Sequence, residues 1–402
     1  MTADRTTDLD ARPRLVLVTG HYLRSDRKAG FHWLADAFNR LGFSVTMVTA
    51  GISWMSELRR DYRTRYGLRK RRFRRLDESG EISSVVWFTP WHPGNLRFAA
   101  LNAMAAPLFR TYGGLPLGDS EDVLRSADVV VFDTGPGLFL VERTIQMNPN
   151  ALLLLRASDD LRAMKQHKVL LDVDSRVAHL FDDVSVPSAG VGRCYPPPAE
   201  THLDRHGIAK SMFDNPGASP YASFANRYRA HAVFVGNGFF DHEFLKIASQ
   251  VAPEIAFHII GPISGLCIAG NVFAYGELPF DSTVPFVAHA DLGLHTLDAG
   301  EHSSTFSDSL KTRQYTYCRL PIIAPVRLPV SLPHVFSYER STASIRAALT
   351  GALQVDRNSA DPVQVDDWTD LAARIVRRGA LRRTALERPS TELLNAWSRR
   401  SA

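Results

Sequence analysis

The feature that most constrains this chain is an alternation of short, wholly apolar runs with stretches whose apolar residues recur at helical spacing. Residues 15–19 (LVLVT) run into Gly20-His21. Phe31, Leu34, Ala35, Phe38 and Leu41 then mark one face of a helix, and residues 44–49 (SVTMVT) follow Gly42. Strand, helix and strand in that order make a β-α-β unit, whose two strands are parallel. Residues 85–88, 129–132 (VVVF) and 152–155 (LLLL) continue the series; each is too short for a helix and apolar throughout, as in strands covered on both faces. After Tyr195-Pro196-Pro197-Pro198 and a polar segment at 215–219 the alternation restarts. Residues 232–235 (AVFV), 256–260 (AFHII), 272–275 and 291–294 read as strands, and 240–251 and 308–317 as helices.

The predicted fold class is α/β, with two Rossmann-like doubly wound domains facing a central cleft. The expected domains are 1–205, 206–366 and a helical tail at 367–402 that packs back through Leu371, Ala372, Ile375 and Val376. A length of 402 residues agrees, because one core rarely grows past about 250 to 300 residues. No apolar run reaches about 18 residues and the first dozen are polar, so neither a membrane span nor a secretory signal is expected, and the predicted location is cytoplasmic. Three cysteines without C-x-x-C spacing exclude a disulfide scaffold or zinc ribbon. G-x-G-x-x-G, the P-loop, H-E-x-x-H and D-x-D are all missing, which excludes the usual dinucleotide and P-loop classes and leaves no metal ligand set; no cofactor is expected.

The sharpest local candidate is Arg156-Ala157-Ser158-Asp159, directly after residues 152–155. A carboxylate at the carboxyl end of a central strand faces a ligand from a rigid support, so Asp159 suits a general base. The competing reading makes Ser158 or Asp159 the N-cap of a helix through Leu161 and Met164. Asp160 is a neighbouring decoy, and Asp133 has a similar strand-end place. In the second half, Gly236-Asn237-Gly238, Gly261-Pro262 and Gly276-Glu277 each follow a strand, and the helix near Asp241 offers amides to a phosphate; ordinary turn chemistry is the alternative. Ser309, Lys311 and Gln314 open another helix, where the lysine either neutralises a diphosphate or lies on a solvated face.

Residues 59–75 concentrate arginine and lysine, including Arg69, Arg71 and Arg72, with Tyr62, Tyr66 and Phe73 interleaved. Trp87, Phe88 and Trp91 follow, and then 98–109 (FAALNAMAAPLF), readable as an interfacial or a core helix. Cations beside exposed aromatics favour an anionic membrane surface over nucleic acid, for which no binding signature is present.

The stretch with VVVFDTG and then NPNALLLLRASDDL resembles the xanthan-type, GumK-like glucuronosyltransferases, a membrane-associated, inverting family of the GT-B fold. His21 and Arg24, Ser219-Pro220-Tyr221, Phe257-His258-Ile259-Ile260-Gly261, Tyr275-Gly276-Glu277 and Asp308-Ser309-Leu310-Lys311 with Gln314 are similar in order and spacing. The resemblance implies that Asp159 is the catalytic base, that Gly236, Asn237, Gly238, Glu277, Ser309, Lys311 and Gln314 line the site of a UDP-sugar donor, and that no metal takes part. It also implies transfer of glucuronate from UDP-glucuronate to a polyprenyl-diphosphate-linked oligosaccharide in exopolysaccharide synthesis, at the inner face of the plasma membrane. His21, Arg24, Arg69, Arg71, Arg72, Trp87 and Trp91 would then serve the acceptor and the membrane. Asn237-Gly238, Thr296 and Leu310 depart from the family pattern and bear on the donor sugar. The rival readings are a GT-B transferase of another donor or acceptor, and a non-catalytic sugar-nucleotide or polyanion-binding adaptor.

Overall fold

The computed structural model describes residues 12–67, 75–77, 82–224, 227–267, 269–298, 300–357 and 363–400. The chain divides into two compact units, Met1–Asp204 together with Trp368–Ala402, and Arg205–Asp367.

The first unit is built on β1 (Arg14–Thr19), β2 (Ser44–Ser53), β3 (Arg75–Asp77), β4 (Ile82–Thr89), β5 (Val129–Asp133), β6 (Leu152–Arg156), β7 (Asp183–Val186) and β8 (Thr201–Leu203), in spatial order 3-4-2-1-5-6-7-8. Every pairing is parallel except β3 with β4. Chain order reverses between β1 and β5, and such a reversal opens a crevice at the carboxyl ends of the strands. β5 and β6 are buried at every residue, which is why both read as unbroken apolar runs.

The same burial overturns the expectation that Trp87 and Trp91 are surface aromatics. Because β4 is covered on both faces, Trp87 is fully buried and its Nε1 donates to the Pro116 carbonyl at 2.9 Å. Trp91 is half-buried and packs on the same core. The exposed apolar groups lie on two helices instead, α1 (Trp54–Leu58) and α2 (Ala99–Arg110). Leu58 is 86% exposed and Met104 77%, with Trp54, Phe98, Leu101 and Leu108 also exposed; within α2 only Phe109 is buried. A core helix hides its apolar stripe, so the core reading of 98–109 does not fit. None of the described helices is long and apolar enough to cross a membrane.

Residues 161–165 form turns, not the helix expected through Leu161 and Met164. The next helix is α3 (Lys168–Val177), whose N-cap His167 accepts the Val169 amide.

The second unit carries β9 (Ala230–Val235), β10 (Ile255–Ile260), β11 (Val272–Gly276), β12 (Leu292–Leu294), β13 (Ile322–Pro325) and β14 (Val335–Tyr338), all parallel, in order 11-10-9-12-13-14. Chain order reverses here between β9 and β12. Helices α4 (His242–Val251) and α5 (Leu310–Tyr317) follow β9 and β12. At the strand ends Gly261 has φ +138° and a Cβ placed on it would lie 1.7 Å from the Gly236 oxygen, so no other residue fits there.

Helix α6 (Trp368–Ala385) returns the chain to the first unit. Its buried face comprises Trp368, Leu371, Ala372, Ile375, Val376, Gly379 and Arg383. Gly379 lets the helix settle onto β6, since a Cβ there would meet the Leu154 side chain at 2.5 Å.

Candidate functional site

In the first unit, polar groups collect where β1, β5 and β6 end. Thr19 Oγ1 donates to Asp133 Oδ2 at 2.7 Å, and His21 Nε2 lies 4.0 Å from the same oxygen. The Asp159 amide meets Thr134 Oγ1 at 3.3 Å, which sets Asp159 beside the end of β5.

The turn after β6 decides between base and cap. Asp160, not Asp159, closes it: Asp160 Oδ1 accepts the Arg162 amide at 2.9 Å and its carbonyl accepts the Met164 amide at 3.0 Å. This is an Asx-type turn, and it leaves the Asp159 carboxyl outside the local hydrogen-bonding scheme. Asp159 is exposed while Asp160 is buried. Protein crowded behind Asp159, followed by the like charges of Asp133 and Asp160, pushes its carboxyl up to about 6. Burial pushes Asp133 up to about 6 as well, against the opposing hydroxyls of Thr19 and Ser158. Burial, with Arg63 nearby, brings His21 down to about 4, so its imidazole is neutral.

Arg63 is a residue that the sequence did not single out. It donates to the Gly20 carbonyl at 2.6 Å and the Gly51 carbonyl at 3.0 Å, tying together the ends of β1 and β2, and it pairs with Asp61 at 2.8 Å. Next to it, Ser53 Oγ and His92 Nδ1 are 2.7 Å apart. The available signal was Asp61-x-Arg63, a local turn in which Asp61 Oδ1 accepts the Arg63 amide. Arg24 is exposed in the segment after β1. Arg69, Arg71 and Arg72 lie outside the described residues. The cationic stretch before them includes exposed Arg59, which donates to the Asn95 carbonyl at 2.8 Å and so links α1 to the segment leading into α2.

In the second unit the residues near β9 form a compact set. Ser309 caps α5, its Oγ accepting the Thr312 amide at 3.4 Å, which leaves the amides of Leu310 and Lys311 among the four a helix start cannot satisfy internally. The Lys311 ammonium reaches across the end of β9: it sits 4.0 Å from the centre of the Phe234 ring and 2.9 Å from where a Cβ on Gly236 would be. Glycine at 236 is therefore what admits it. Desolvation brings Lys311 down to about 7. Gln314, one turn along α5, is buried. Asn237 and Gly238 continue from Gly236, with Asn237 exposed. Gly236 donates to the Ile260 carbonyl at 3.0 Å and Gly261 to the Gly276 carbonyl at 2.7 Å, so three glycines line the ends of β9, β10 and β11; Glu277 follows, exposed.

One expectation is corrected. The amino end of α4 is occupied by Asp241 itself, whose Oδ1 accepts the Phe244 amide at 3.1 Å while Tyr338 and Arg340 hold its carboxylate. That terminus is not open to a phosphate, and the anion-receptive helix start of this unit is that of α5.

Residues 17–187 match the family described as Glucuronosyltransferase GumK, N-terminal domain. The chain is 28% identical over 376 residues to a UDP-glucuronate:glycolipid 2-beta-glucuronosyltransferase of Xanthomonas campestris pv. campestris, covering 91% of this chain and 90% of that enzyme. Among solved structures it is similar to sucrose-phosphate synthase of Thermosynechococcus elongatus, with TM-score 0.56, 14% identity and 97% of each chain covered. HepE of Anabaena in complex with UDP and glucose gives TM-score 0.55 at 12% identity, over 96% of this chain and 97% of that one. These likenesses show the fold, which is GT-B.

Proposed function

We propose, from the match of residues 17–187 to the GumK N-terminal domain family, that this chain is an inverting glycosyltransferase. It moves glucuronate from UDP-glucuronate to a polyprenyl-diphosphate-linked oligosaccharide at the inner face of the plasma membrane. The observation that carries the reading is Asp159. It stands just beyond the end of β6, is left out of the turn that Asp160 closes, and has a carboxyl raised to about 6. Such a group is ionised at neutral pH yet more basic than an ordinary aspartate, which suits proton abstraction.

In the reaction so read, an acceptor hydroxyl oxygen attacks the anomeric carbon as its proton passes to Asp159. The bond from that carbon to the diphosphate oxygen breaks, UDP leaves with the electron pair, and one displacement inverts the centre. The second unit supplies electrostatic help for the departing charge: the Lys311 ammonium and the first amides of α5 stand in for a metal ion, and the glycine ends of β9, β10 and β11 admit the nucleotide closely. A diphosphate beside Lys311 restores the proton affinity that desolvation removes. Gln314 and Glu277 are assigned to the donor on the same reading. Exposed apolar groups of α1 and α2, with Arg59, Arg60, Arg97 and Arg110 beside them, form the surface that rests on anionic lipid.

Asp159→Ala should abolish transfer of radiolabel from UDP-glucuronate to a mannose-terminated polyprenyl-diphosphate oligosaccharide, while calorimetry still registers UDP binding. Undiminished turnover in that variant would remove the base assignment.

A further inference from the structure

Asp133, at the end of β5, is 6% exposed and has no part in the reaction described above. Its Oδ2 is held by Thr19, while its enclosed Oδ1 makes no hydrogen bond of good geometry, the Ser158 hydroxyl and the Thr134 amide only lying near enough to steady the charge. A buried carboxylate left half satisfied is costly, and an asparagine or serine would make a cheaper core. What this charge neighbours is Asp159: the residue after Asp133 receives the Asp159 amide, and Asp133 is the first of the two like charges that raise the Asp159 carboxyl.

The other charged and titratable groups around the pair come from every packed element. Asp160 adds a second like charge from the turn after β6. Arg156, at the end of β6, pulls Asp133 the other way while its guanidinium donates to Ser185 Oγ and the Asp204 carbonyl. From the end of β1 comes His21, kept neutral by burial and Arg63. Tyr195 also feels the Asp133 charge; its phenol is raised first by burial and bonds to Asp174 at 3.1 Å.

We propose that Asp133 is a positioning residue that sets the proton affinity of Asp159: a negative charge buried at the β1/β5 reversal and anchored by Thr19 keeps the neighbouring carboxylate a stronger base than a lone aspartate. The inference rests on Asp159 being the base, and its test separates the two.

The titration of the Asp159 carboxyl is followed by isotope-edited NMR in the full chain, which needs no turnover, alongside the acid limb of kcat/KM. Replacing Asp133 by Asn keeps an acceptor for Thr19 but removes the charge. Both the Asp159 titration and the acid limb should then move to lower pH by roughly one unit, and kcat should fall several-fold with KM unchanged, because a weaker base sits closer to an ordinary carboxylate. Thr19→Val destabilises the ionised Asp133 and should move both readouts the same way by less; it decides the matter should Asp133→Asn not fold. A purely structural role would lower activity and leave the titration where it is. An Asp159 titration that stays put in both variants overturns the proposal. Transfer retained by Asp159→Asn would instead sink the base reading, with the NMR coupling still measurable.

Discussion

Asp159 and Asp160 are adjacent and put to opposite uses. The buried one spends its oxygen on the turn; the exposed one keeps its carboxyl available. The same division holds in the second unit, where Asp241 is consumed by capping α4 and Lys311 is left facing Gly236. Because desolvation brings Lys311 down to about 7, its charge disappears as pH rises through that value in the empty protein. A bound diphosphate favours the protonated form, so UDP affinity should weaken as pH climbs above about 7, towards the proton affinity of the occupied state. Calorimetric titrations of UDP between about pH 6 and 9, a range in which an ordinary lysine with its pKa of about 10.4 would stay charged, check this. In Lys311→Met, UDP should bind about tenfold or more weakly, a loss of a charge-assisted contact, and the difference from the parent should shrink with rising pH. A pH-independent difference would show that the lysine does not ionise in this range.

At the scale of elements, strands β1, β5, β6, β9 and β10 were readable because residues hidden on both faces leave an apolar run that little else explains. The turn at 161–165 was not, since Leu161 and Met164 mimic helical spacing and only the Asp160 side chain reveals that the backbone closes early. Trp87 misled for a related reason: beside a basic run an aromatic suggests a surface, but strand burial alone decides where it points. Arg63 was lost in a crowd of arginines, and only its two carbonyl partners distinguish it. For α2 the sequence left two readings open, and its exposed Leu101, Met104 and Leu108 favour a lipid-facing role. Replacing these three with Ser should weaken cosedimentation with anionic liposomes at any ionic strength, about 0.8 kcal/mol being lost per buried methylene no longer transferred. Replacing Arg69, Arg71 and Arg72 with Ser should weaken it chiefly at low salt, where screening is least. Binding unaltered by either set would detach this face from the membrane.

For the whole molecule, the first unit depends on a helix that arrives after the second unit has been traversed. Arg378 of α6 pairs with Asp183 at 2.6 Å and Asp204 at 2.5 Å, and Arg383 with Asp182 at 2.8 Å; all three aspartates are almost fully buried. Burial works against ionisation of Asp204, yet its bonds to Arg378 and Ser185 hold the carboxyl below the usual range. Its contribution is therefore present above the ordinary aspartate range and is lost only as pH falls through its lower folded value. Arg378→Ala strips a partner from two buried carboxylates and should cost about 3 kcal/mol, read as a lowered midpoint in urea unfolding at neutral pH. An unchanged midpoint would mean that Arg374 and His202 suffice for Asp204 and Asp183. Since α6 also rests on β6 through Gly379, the strand that presents Asp159 is completed by a helix that follows the whole second unit in chain order. During synthesis, then, the stretch from Arg205 to Asp367 has all of its own strands in hand first, whereas the unit begun earlier has no finished β6 platform until the ribosome has added residues 368–385.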